Sequence, residues 1–363
     1  MAIFSDVFED VTKQGRKIHT SDYHETGVHP IIDQGQSAIA GYTDETDGLF
    51  TDVPAIIFGD HTRVLKYVDT PCFLGADGVK LLKAKIANPN YKYLYYVLSN
   101  ANIPNTGYNR HFKWLKEVDI PLLDADEQQK IVDTLDKISK LIALRKKQIA
   151  KLDQLVKSRF IELFGDVIHN SKAWQMRLFA DIASSRLGKM LDAKQQTGKC
   201  SYPYLANFNV QWFRFNIENL NQMDFDEDDR AEFELKDGDL LVCEGGEIGR
   251  CAVWHNEIQP CFFQKALHRV RCNRQIIQPD YLAWWFKYNC DHDGFAAIAG
   301  AKATIAHLPG VKLKQLQVAV PPIELQQQFA AFVEQTNKSK LTIQQSLDKL
   351  ELLKKSLMQE YFG

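Results

Sequence analysis

The chain has 363 residues, 45% hydrophobic and 25% charged, with a formal net charge of −2. That is enough for two or three globular domains with separate cores, and it excludes a protein that coats DNA by net positive charge alone; a nucleic-acid role requires local basic patches or charged partner chains. No apolar run approaches the roughly 18 residues of a membrane helix, and the opening residues Met1 to Asp6 lack the basic and apolar parts of a signal peptide, so a cytoplasmic protein without membrane contact is expected.

Residues 1–122 read as a first globular segment. Strand-like runs at Pro54 to Phe58, Arg63 to Val68 and Val79 to Lys83 are separated by turn signals at Gly59-Asp60, Asp69 to Pro71 and Ala76 to Gly78. Asn88-Pro89-Asn90 announces a helix from Tyr91 to Ser99, and a polar loop, Asn105 to Lys113, precedes a closing strand that ends at Pro121. Residues 123–165 form a long helix. After the connector Asp166 to Lys172, residues 166–321 repeat the plan at greater length. Strands are expected at Leu240 to Cys243, Arg250 to Trp254 and Ala266 to Arg271, then an aromatic helix from Tyr281 to Asn289 whose Trp284, Trp285 and Phe286 belong to the core. A small-residue loop, Gly294 to Thr304, leads to the strand ending at Pro321, and residues 322–363 form the last long helix.

The two long helices are relatives. Ile131, Leu135, Ile138, Ile142, Ile149, Leu152, Val156 and Leu163 alternate by fours and threes, with Arg145 and Arg159 filling the missing steps. The second copy places Phe329, Val333, Ile343, Leu347, Leu350 and Leu357 in the same frame, beside Thr336, Lys340, Lys354 and Tyr361. This is the a/d seam of a helix made to lie against another helix. Gln128-Gln129 matches Gln326-Gln327, and Phe164-Gly165 matches Phe362-Gly363. A repeat of this kind divides the chain into two half-units. The resulting fold class is α+β, two β-rich modules and two long helices.

Enzyme motifs are missing. Gly188-Lys189 has no upstream glycine at Walker A spacing, and Gly245, Gly246 and Gly249 lack the strand-to-helix setting of a dinucleotide loop. Glu234-Leu235-Lys236 resembles a nuclease triplet but sits beside the acidic run Asp224 to Asp229, which reads as a solvated turn. The seven cysteines include no CxxC pair and no partner His pair at metal-finger spacing, which points to reduced structural thiols without metal. No catalytic set stands out, so binding rather than catalysis is expected.

The alternation of β-rich modules with matching helices resembles the specificity (S, HsdS) subunit of Type I restriction-modification systems over nearly the whole chain. Its carriers are Pro321 to Gln328 before the final helix and Ile120 to Gln129 before the first, supported by Lys236 to Gly246, Leu178 to Ile182 and Phe4 to Phe8. The resemblance implies a non-catalytic subunit with two target-recognition domains, held apart by an antiparallel coiled-coil helix pair in a pseudo-twofold repeat. Each domain would read half of a split site on double-stranded DNA. Two methyltransferase (M) subunits would dock on the helices, restriction (R) subunits would cleave, and S-adenosylmethionine, ATP and Mg would be held by those partners, with no cofactor in this chain. A helix of about 39 residues rises roughly 58 Å, so the pair would act as a ruler for the spacer.

DNA contacts call for basic and amide side chains on exposed loops. In the first module the candidates are His61, Arg63, Lys66, Tyr108, Asn109, Arg110, His111 and Lys113; in the second they are Arg250, Lys265, His268, Arg269, Lys302 and Thr304, with Arg186 and Lys189 weaker. The module lengths differ by about 30 residues, so the two heads are expected to read different sequences. Two other classes stay open on sequence alone: a coiled-coil scaffold whose modules bind protein or sugar, and a nuclease or methyltransferase with unrecognised catalytic residues.

Overall fold

The computed structural model describes residues 1–75, 77–192, 196–295 and 307–363. It divides into two compact units, Met1–Lys147 with Gln344–Gly363, and Gln148–Ile343. The division passes through both long helices, so each unit takes one part of Ala125–Phe164 and one part of Ile323–Phe362.

In the first unit, Phe8–Asp10, Val79–Ala84, Ala55–Gly59 and Leu65–Val68 form an antiparallel sheet in that spatial order. A second sheet joins Gly41–Thr43, His29–Ile32 and Phe73–Leu74, the last pair parallel. The run Ala55–Gly59 is apolar throughout because its sheet is covered on both faces. Side chains alternate along a strand, sending Ile56 and Phe58 toward the helix Tyr91–Asn100 and Ala55 and Ile57 toward Val11, Ile32 and Leu74. Asn90 starts that helix by accepting the Tyr93 amide at 3.1 Å, satisfying a donor the first turn leaves open. Ala2–Ile3 pairs with the closing strand Asp119–Ile120, immediately before Pro121.

The second unit repeats this order with additions. Ala183–Leu187, Leu267–Cys272, Leu240–Cys243 and Cys251–Val253 make the four-stranded sheet; Asn221–Asp224, Ser201–Leu205 and Phe262–Phe263 make the three-stranded one, its last pair again parallel. Gln175–Leu178 pairs with the closing strand Gln317–Val320. The extra length supplies the hairpin Val210–Gln211 with Arg214–Phe215 and the helix Glu227–Phe233. That helix corrects the reading of the acidic run as a plain turn: the Asp226 carboxylate accepts the Asp229 amide at 2.8 Å and caps its start. Trp285 and Phe286 are core residues, and half-buried Trp284 packs against Phe160 and Phe329 of the same core.

Each long helix spans 40 residues. In the first unit Ile131, Val132 and Leu135 share a core with Leu357 and Met358, while Lys146 pairs with Glu351 at 2.8 Å. In the second unit Phe160 meets Phe329 at 5.5 Å between ring centroids, Val156 and Val333 join the same core, and Lys340 bonds Asp153. Within each unit the helix segments therefore run antiparallel. Ile131, Leu135, Ile138, Val156, Phe329, Val333 and Leu347 are buried, and Ile142, Ile149, Leu152, Leu163, Ile343, Leu350 and Leu357 are half-buried. Off the seam, Leu141, Leu155, Leu341 and Leu352 are exposed. Lys354 fills its seam position by extending over the Tyr96 ring, 5.8 Å from its centroid, and burial holds its ammonium below the usual lysine range.

Candidate nucleic-acid interface

In the first unit the fold brings the turn at Gly59–Arg63 against the loop 105–111. Buried Asp60 organises the contact. Its Oδ1 accepts the Phe112 amide at 2.7 Å, and its carbonyl accepts the His111 amide at 2.8 Å and lies 2.9 Å from His111 Nδ1. His111 is 0% exposed, with Nε2 3.4 Å from Thr106 Oγ1. The expectation of an exposed contact at His111 is thus corrected: it is the peg on which the loop hangs, because a ring with both nitrogens bonded can be buried at little cost.

Lys66 needs the same correction. It is buried, donating to the Ser37 carbonyl at 2.6 Å and pairing with Asp33 at 3.3 Å. Arg63, at φ 62°, turns inward to donate to the Ile103 carbonyl at 3.1 Å, and so fastens loops rather than standing free. Tyr108, Asn109, Arg110 and Lys113 are exposed, and His61 is half-buried beneath Tyr108. Lys113 lies over the Trp114 ring at 4.1 Å.

Gln34 was not legible as a functional position. Its Oε1 accepts the His61 amide at 3.2 Å, its Nε2 donates to the Asp77 carbonyl at 3.0 Å, and its own carbonyl accepts the Thr62 hydroxyl at 2.6 Å. It thereby ties three turns together across the sequence. No local pattern signals such a role; only the tertiary contact reveals it.

In the second unit several candidates are drawn inward. His268 is 1% exposed, with Nε2 3.0 Å from the Leu308 carbonyl, and burial holds its pKa below the ordinary histidine value. Arg269 is buried over the Phe263 ring at 5.4 Å and donates to the Glu232 carbonyl; burial also lowers its pKa. Arg269 was expected on an exposed face, whereas a lone histidine in a strand, as His268 is, is commonly a satisfied core residue. As neighbours in one strand they point to opposite faces, Arg269 beneath the helix Glu227–Phe233 and His268 toward Leu308. Arg250 is half-buried and reaches Asn207 through its carbonyl at 3.1 Å and its side-chain oxygen at 3.0 Å. Lys265 is exposed. Arg186 is exposed and paired with Glu232 at 2.7 Å, and Lys189 is held by Asp229 and the Asp224 carbonyl. Lys302 and Thr304 lie outside the described residues.

A cavity of about 350 Å³ opens in the second unit beside the helices, floored by Val156 and Val333 and walled by Trp212, Phe213 and Trp284. Phe213, at φ 62°, stacks on Trp284 with ring centroids 4.5 Å apart. All seven cysteines carry free thiols, and burial pushes those of Cys72 and Cys243 up to about 11. Among the described residues no group of three His, Cys, Asp or Glu side chains could hold a metal, and no helix is long and apolar enough to cross a membrane.

Comparison with known proteins adds to this geometry. A family model described as the Type I restriction modification DNA specificity domain matches twice, at residues 4–154 and 171–352. A Methanocaldococcus jannaschii protein carrying the name type I restriction enzyme MjaX specificity subunit is 25% identical over 193 residues, 52% of this chain and 45% of its own length. The type I restriction enzyme EcoR124I/EcoR124II specificity subunit of Escherichia coli is 31% identical over 151 residues, 36% of this chain and 37% of its own length. The matched stretches thus span less than half of either relative. The crystal structure of a Type-I restriction-modification system S subunit from M. genitalium superposes with a TM-score of 0.64 at 16% identity, covering 99% of this chain and 95% of that one, which establishes the likeness of fold.

Proposed function

The chain belongs to the Type I restriction-modification DNA specificity family, and from that premise we propose that it is the sequence-reading, non-catalytic subunit of such a complex. Its two β-rich modules are target-recognition domains, each reading one half of a bipartite site on double-stranded DNA. The two long helices form an antiparallel coiled coil with pseudo-twofold symmetry, which sets the spacer and carries two methyltransferase (M) subunits. Restriction (R) subunits join that assembly. S-adenosylmethionine, ATP and Mg belong to the partners, and the complex works in the cytoplasm.

The observation that supports this reading best is the repetition of one plan with unlike surfaces. The same strand order and closing strand recur, yet the exposed candidates are Tyr108, Asn109, Arg110 and Lys113 in one module and Arg186 and Lys265 in the other. A formal charge of −2 leaves DNA affinity to such local groups and to the partners. Methyl transfer from labelled S-adenosylmethionine to duplex DNA tests it. The chain purified with its methyltransferase partner should methylate adenines with a steep salt dependence, and the chain alone should transfer nothing. Methylation or cleavage by the chain alone would overturn the reading.

A further inference from the structure

The loop 105–111 of the first unit carries a ring pair that its surroundings hold ready. His61 and Tyr108 stack with centroids 4.7 Å apart and planes 8° from parallel. His61 is fixed from three sides. Its amide is held by Gln34, its Nδ1 lies 3.2 Å from the Asn109 carbonyl, and its ring sits on Gly78, where an added Cβ would come within 2.8 Å of His61 Cδ2. Gly78 also has φ 88°, a conformation side chains rarely adopt, so the site has two reasons for glycine. Tyr108 in turn is set by Gly107 at φ 78° and by Asn109, whose amide nitrogen donates to the Thr106 carbonyl and hydroxyl. Behind the loop stands the buried His111 peg.

With one ring face on His61, Tyr108 is still 87% exposed, so its other face is open. The His61 ring lies parallel beneath one face of the Tyr108 ring. A stacked pair with a free outer face, flanked by exposed Asn109 and Arg110, is shaped to receive another flat ring.

We propose that Tyr108, backed by His61, stacks on a nucleobase in the half-site read by the first module, so that this module reads partly by unstacking a base step rather than by edge hydrogen bonds alone. This inference rests on the DNA-reading function above. His61 acts as a positioning residue. Base stacking on an aromatic side chain is worth enough that its removal should weaken binding by about 5- to 100-fold.

The test uses the full chain with its methyltransferase partner on a duplex bearing the mapped site, with 2-aminopurine at successive positions of the first half. Wild type should brighten one position on binding. Tyr108→Phe should keep both the signal and the affinity, Tyr108→Ala should lose both, and His61→Ala should weaken both while His61→Phe restores them. The melting temperature should stay put in the Tyr108 variants, since that side chain is exposed. Wild-type affinity in Tyr108→Ala, or equal losses in Tyr108→Phe and Tyr108→Ala, would overturn the stacking role while leaving the DNA-reading function intact. A wild-type complex that ignores DNA would instead sink that function, and this inference with it.

Discussion

The joints between each module and its long helix are alike in one layer and opposite in the next. The Tyr93 hydroxyl donates to the Pro121 carbonyl at 2.8 Å, and the Tyr281 hydroxyl donates to the Ala319 carbonyl at 2.6 Å. Gln128 donates to the Leu123 carbonyl and Gln326 to the Pro321 carbonyl, each at 2.8 Å. One residue before the tyrosines, however, Lys92 binds Asp136 in the first unit, whereas Asp280 in the second stands near Glu334 and is kept above the usual carboxylate range by burial. Position 136 corresponds to 334 in the repeat, so an ion pair has been exchanged for two acids. The tyrosine bond and one glutamine bond recur in both joints, while the charge beside them differs.

That comparison can be broken most forcefully in the cores. Phe160, 1% exposed, packs against Phe164, Tyr281 and Phe329, and the repeat places Met358 at its counterpart. Phe160→Ala should cost about 3–5 kcal/mol and Met358→Ala about 2–3 kcal/mol. Hydrogen exchange resolved by unit should show each loss confined to the unit that holds the residue; equal loosening of both units would mean they do not behave separately.

The glutamines come next. Gln326 is fully buried and makes three bonds, accepting the Gln278 amide at 2.9 Å and donating to the carbonyls of Ile276 and Pro321. Gln326→Ala leaves those groups unpaired, at about 1–3 kcal/mol, while half-buried Gln128→Ala should cost about 1 kcal/mol. Thermal melts of the two variants decide this, and a larger loss for Gln128→Ala would contradict these bonding patterns.

A third difference is read through pH. His268 is held below its ordinary value of 6.5 by burial, so the unfolded chain binds the proton more readily. Stability of the second unit should therefore fall as pH drops below about 6.5 and recover as pH rises. His268→Gln should flatten that slope; an unchanged slope would assign the acid sensitivity elsewhere. The smallest effect belongs to Lys92→Ala. The partners of its ion pair are 41% and 35% exposed, so its loss should cost at most about 1 kcal/mol and shrink further with added salt. A loss unaffected by salt would mean that packing on Tyr67, not charge, is what Lys92 contributes.

Much of this architecture was legible in the residues. The long helices announced themselves because a heptad pattern sustained over many turns suits a long helix and no strand or loop, and the observed bounds lie within a residue or two of the expected ones. The strands Leu240–Cys243 and Val79–Ala84 were visible as apolar runs between turns. The three-stranded sheets were not, since Phe73–Leu74 and Phe262–Phe263 have two residues each and Ser201–Leu205 contains a proline. The Trp212-Phe213 turn was hidden because its left-handed position holds phenylalanine where glycine or asparagine usually gives the signal. For the candidate interface, residue chemistry alone could not separate Tyr108 and Arg110, which stay outside, from His111, His268 and Arg269, which do not. A polar side chain is placed by its distant partners, here Asp60, Leu308 and Glu232.

A genome-wide map of methylated adenines, in cells carrying this chain with its methyltransferase partner, tests the account most directly. Two short unlike motifs separated by a fixed unread gap are expected, and substitutions confined to residues 1–122 should alter only one of them. One uninterrupted motif, or a change in both halves from such a substitution, would contradict it.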